Sequence, residues 1–133
     1  MTRSSQTPSE GEVCRPNISG AGRRRRRKIA ASLALLSIAV FVGLIAAHAS
    51  AWMRLLLALP TASAAVVGLQ VTRNTCLAHA AAGTFEQEDL SATKVEAALA
   101  EASRRVAESI YRDGILIGLV CGLLGLASAW FLP

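Results

Sequence analysis

The chain has 133 residues, 53% of them hydrophobic and 17% charged, with a mean hydropathy of +0.43 and a formal net charge of +5. So little charge excludes an ordinary soluble surface around so small a core. The length leaves room for one domain at most and none for a separate soluble enzyme domain, so we expect no enzyme. Arg outnumbers Lys by twelve to two, a bias we read as GC-rich coding and hence a bacterial source.

Residues 1–28 hold Ser, Thr, Gly, Pro and Arg with almost nothing apolar to bury, which predicts a disordered cytoplasmic tail. It ends in six consecutive basic residues, Arg23, Arg24, Arg25, Arg26, Arg27 and Lys28, and these run into Ile29 to Met53, twenty-five residues without Asp, Glu, Lys or Arg. A cationic cluster beside an apolar helix resists translocation and stays on the cytoplasmic side. The same cluster can hold anionic phospholipid headgroups, each basic residue near the surface contributing about 1 kcal/mol. Nucleic acid is a poorer fit, because no aromatic residue lies in the tail to stack on bases.

Three segments are long and apolar enough to cross a bilayer: 29–50, 55–72 and 115–132. The first two are separated by so few residues that a tight antiparallel hairpin follows, with Arg54 at its tip. The basic residues then divide eight before Ile29 and five from 73 to 113, against Arg54 alone on the far side. That bias predicts an inside N-terminus and an outside C-terminus in a bacterial inner membrane. Trp52 and Trp130 fall together at the outer interface and Tyr111 at the inner one, where amphipathic rings concentrate. A competing reading makes Arg23 to Ala51 a cleavable signal peptide, but its apolar region exceeds the roughly 7 to 15 residues usual for such segments.

The polar stretch 73–113 lies between the second and third spans. Thr93 with Glu96 has the form of a capping box and predicts an amphipathic helix over about 94–112, with Val95, Leu99, Ala102, Val106 and Ile110 as its apolar stripe. Glu101 with Arg105 and Glu108 with Arg112 are expected i,i+4 pairs on the exposed side. Seven acids against five bases in this segment favour a protein neighbour over a lipid surface for the stripe.

Gly114, Gly118 and Gly122 form a ladder in the third span, a device that lets two helix backbones approach closely in lipid, either within one chain or between copies. Ala39, Gly43 and Ala47 repeat the pattern in the first span, and Pro60, Ala64 and Gly68 in the second. Cys76 and His79 share a face if the second helix continues toward Gly83, and they are weak metal-ligand candidates, since two ligands do not make a site. We expect no cofactor. The sequence therefore predicts an all-α, three-span membrane protein that acts by helix contact with itself or another membrane protein. A pore or transport component and, more remotely, a metal-binding redox protein are the alternatives.

Overall fold

The structure, a computed structural model, describes residues 17–131. It is mostly helical, in the order α1 (Gly20–Ala46), α2 (Ala51–Arg54), a 3-10 turn (Leu55–Leu57), α3 (Ala58–Thr72), α4 (Leu77–Ala82), β1 (Thr84–Glu86), β2 (Ala92–Lys94) and α5 (Ala97–Ser128). Three stretches are long and apolar enough to cross a membrane: Gly20–Ala46, Ala51–Thr72 and Ala97–Ser128.

The first helix starts earlier than expected. Ser19 caps it by accepting the Gly22 N–H at 2.9 Å, so the basic run Arg23–Lys28 is helical and belongs to α1. The disordered tail expected over 1–28 is thus corrected from Asn17 onward, and its first sixteen residues lie outside the described residues. α1 stops where His48 adopts a left-handed φ of +49°, and Ser50 then stands at the N-cap of α2.

The tip of the hairpin is consequently 47–50, and Arg54 is not there. It lies inside the second helical stretch, 2% exposed, with Nη1 donating to Ser128 Oγ at 3.2 Å. Pro60 has no N–H to offer the Leu56 carbonyl, and the backbone just before it tightens into the 3-10 turn. α3 ends at Thr72, because Asn74 turns the chain with a φ of +49°. The second helix therefore does not continue toward Gly83. Cys76 instead occupies the extended N-cap position of the short α4, whose C-cap is Gly83 at φ +64°. A Cβ at Gly83 would meet Ala100 Cβ only in ordinary contact, at 3.5 Å. Gly83→Ala should therefore cost about 1 kcal/mol through backbone strain alone, read as a small fall in thermal midpoint.

Two short strands depart from the all-α expectation. β1 and β2 pair antiparallel, with Phe85 opposite Thr93. Thr93 lies in β2 and does not cap a helix; α5 begins at Ala97 with Glu96 at the N-cap. Thr and Phe suit a pleated pair better than a helix start. Beyond them, the expected amphipathic helix and third span form one continuous helix of 32 residues, about 48 Å long. The stripe faces inward, with Ile110 fully buried, and α4 packs against α5. Glu101 and Arg105 form the expected pair at 3.5 Å, whereas Arg112 turns to its neighbour Asp113 at 3.2 Å.

Burial is inverted relative to a water-soluble fold. Among the described residues the buried hydrophobic ones are Ile18, Leu57, Cys76, Ala80 and Ile110, while Leu35, Leu59 and Leu124 are each more than 60% exposed. Such continuous apolar surface needs something other than water against it.

Candidate functional site

Two constructions hold the helices together, one along the three long apolar helices and one beyond the end where α1 starts. Along the apolar helices, the glycine ladder faces α3. A Cβ on Gly118 would lie 2.7 Å from the Ala58 carbonyl oxygen and 2.9 Å from Ala62 Cα. One on Gly122 would come 2.9 Å from Ala58 Cβ, and one on Gly114 would overlap Val66. The absence of side chains here lets two backbones touch, and the contact is within one chain. Gly43 and Gly68, by contrast, have open space where a Cβ would go.

The second construction is a polar clasp joining the start of α1 to the α3–α4 turn and to the β1–β2 hairpin. Asn17 is 4% exposed. Its Oδ1 accepts the Cys76 N–H at 2.6 Å, and its Nδ2 donates to the Cys76 carbonyl at 3.3 Å. Its own N–H donates to the Asn74 carbonyl, and its carbonyl accepts from the Glu86 N–H. Glu88 accepts the Gly20 and Ala21 amides at 2.8 and 3.2 Å, placing a carboxylate at the positive end of the helix dipole.

Arg26 is the one member of the basic run turned inward. Its Nη1 donates to Glu86 Oε2 at 2.9 Å and its Nη2 to Cys76 Sγ at 2.8 Å. The two charged side chains are 18% and 8% exposed. Arg23 reaches Asn74 Oδ1 at 3.2 Å but stays exposed, as do Arg24, Arg25, Arg27 and Lys28. The run thus divides, with one guanidinium clamped in protein and five cations presented to the surroundings.

Arg73, at the end of α3, completes the junction. It donates to Asp113 Oδ2 and Ser109 Oγ, both at 2.6 Å, tying α3 to the middle of α5. On the hairpin, the Ser91 hydroxyl and then its amide hold the Asp89 carboxyl below the usual range. The sulfur of Cys76 is engaged by Arg26, and His79 Nδ1 pairs with Thr84 Oγ1 at 2.8 Å. Among the described residues no group of three or more potential ligands gathers around a metal position.

Sequence reasoning located the basic run and the glycine ladder but missed Asn17, Glu86 and Glu88. Their partners lie 59 to 68 residues away in the chain, and no periodicity signals such a pairing. Ser19, three residues before the amide it caps, was the one local sign that α1 starts upstream of the arginines. No protein-family model, curated protein or solved structure matches this chain.

Proposed function

We propose that the protein is a small multi-pass protein of a bacterial inner membrane, with the N-terminus and the 73–113 segment on the cytoplasmic side, and that it acts by binding. In this reading it is an accessory or assembly subunit, or a homo-oligomer, and it performs no catalysis. The observation that carries it is the division of the basic run. Arg26 fastens α1 to the clasp, while Arg23, Arg24, Arg25, Arg27 and Lys28 stand exposed at the point where α1 becomes uncharged. That is the level at which anionic headgroups meet a spanning helix. The clasp and the hairpin then form a small extramembrane platform above the same end of the spans, fit for contact with protein.

The pore reading is less well supported, because backbone contact along Gly114, Gly118 and Gly122 fills the α3–α5 seam. The redox reading is weakened in a similar way, because Cys76 and His79 each already have a partner within the chain.

Replacing Arg23, Arg24, Arg25, Arg27 and Lys28 together by Gln, with Arg26 retained, tests this role. The variant should lose preferential co-purification of anionic over neutral phospholipid, and its orientation should become mixed. Unchanged lipid enrichment and unchanged orientation would refute it.

A further inference from the structure

The surfaces that the sequence offers for self-association are largely consumed within the chain. The glycine ladder is filled by α3, and α4 lies against α5. Outside the spans, one large apolar side chain is presented on a strained backbone. Leu90 closes the β1–β2 hairpin with its N–H on the Gln87 carbonyl at 2.9 Å and a φ of +67°, and it is 46% exposed. An L side chain in this left-handed region costs about 1–2 kcal/mol that glycine would not. Strain kept at an exposed apolar residue points to a contact that the isolated chain does not show.

Beside the hairpin is a cleft of about 850 Å³ between the start of α1, the two strands and α5. Ile18, Phe85, Val95 and Leu99 give it an apolar lining, and Lys94 lies on its wall. The acids on that wall are already engaged, Glu86 by Arg26 and Glu88 by the α1 amides. Among the described residues Lys94 forms no ion pair, and Asp89, next to Leu90, bonds only Ser91. Among the described residues, a cation without an ion pair therefore lies on the cleft, and an anion without one sits beside the projecting leucine.

We propose that this face is a two-fold interface between copies of the chain, in which the cleft receives the partner subunit's Leu90 and Lys94 meets the partner subunit's Asp89. The proposal rests on the membrane reading above and adds to it the partner and the surface. Two copies threaded the same way through one bilayer are related by an axis along the membrane normal, so contacting groups must lie at matching heights. Knob and cleft both adjoin the β1–β2 hairpin, and the proposed interface sets them at one height. A two-fold interface also demands one self-complementary patch, which adjacent knob, hole, anion and cation supply.

Full-length chains carrying donor or acceptor dyes, mixed in phospholipid vesicles, report association by energy transfer. Wild type should associate. Leu90→Gly should weaken association about tenfold or more, while the thermal midpoint stays level or rises because the turn is relaxed. Asp89→Lys and Lys94→Asp should each weaken it, and the two together should restore it, an outcome that misfolding cannot mimic. A wild type that stays monomeric, Leu90→Gly that associates normally, or a double variant as weak as either single one would overturn the dimer. Alkaline carbonate extraction of the same membranes keeps the two readings apart. Protein released by carbonate contradicts the spanning reading, whereas carbonate-resistant but monomeric protein contradicts only the dimer.

Discussion

Gly118→Leu should unfold the helical bundle of the single chain and not merely separate copies. The side chain would have to enter a seam where even a Cβ lies 2.7 Å from a backbone oxygen of α3 and 2.9 Å from Ala62 Cα. Backbone atoms cannot swing aside as a flexible side chain can. The cost should therefore reach or exceed the upper end of the usual overpacking range, about 3 kcal/mol. Gly43→Leu is the matched control, since nothing lies within 4 Å of a Cβ there; its effect should stay within about 0.5 kcal/mol. Thermal or denaturant unfolding in detergent, with secondary structure as the signal, compares the two. Equal effects would mean that the α3–α5 seam is not the close contact described.

Glu86→Ala should open the clasp. It leaves the Arg26 guanidinium, 18% exposed, without its carboxylate. Removing one partner of a fully buried pair costs about 3–5 kcal/mol. Partial exposure of Arg26 and its remaining contact with Cys76 Sγ reduce this to about 2 kcal/mol. Because about 1.4 kcal/mol is tenfold in population, the opened state should become roughly 30 times more frequent. Cys76, 3% exposed in the closed clasp, provides the readout. Its maleimide labelling in a Cys14→Ser, Cys121→Ala background, where Cys76 is the remaining thiol, should accelerate by a similar factor, while the long helices remain folded. Gly22→Ala should act in the same direction, because its Cβ would overlap the Glu86 carboxylate. Labelling no faster than in the unmodified clasp would contradict the assigned role of the Arg26–Glu86 pair.

The three long apolar helices were legible because a long uncharged run bounded by charge has few alternatives to a membrane-competent helix. The apolar stripe from Val95 to Ile110 was legible for the same local reason, since its spacing is that of one helix face. The boundaries were less so. Arg54 reads as the tip of a hairpin because charge in an apolar stretch suggests an edge, yet the chain turns earlier, where His48 accepts a left-handed φ and Ser50 can stand at a helix start. The β1–β2 hairpin was hidden because its strands are three residues each, too short to show alternation. Thr93 and Glu96 meanwhile imitate a capping box. The glycine ladder announced a close helix contact, but spacing alone does not say which helix fills it. Ala58, Ala62 and Val66 do so, three residues four apart on α3, and that matching periodicity could have been read as the complement of the glycines.

The proposed threading sets the start of α1, the clasp and the hairpin on one side of a membrane that the chain crosses three times. The most direct measurement places a reporter active only outside the cytoplasm at three positions: in the 47–50 turn, at Asp89 on the hairpin, and after Pro133. Activity is expected at the first and third positions and silence at the second. Activity at Asp89, or silence at the 47–50 turn, would contradict it.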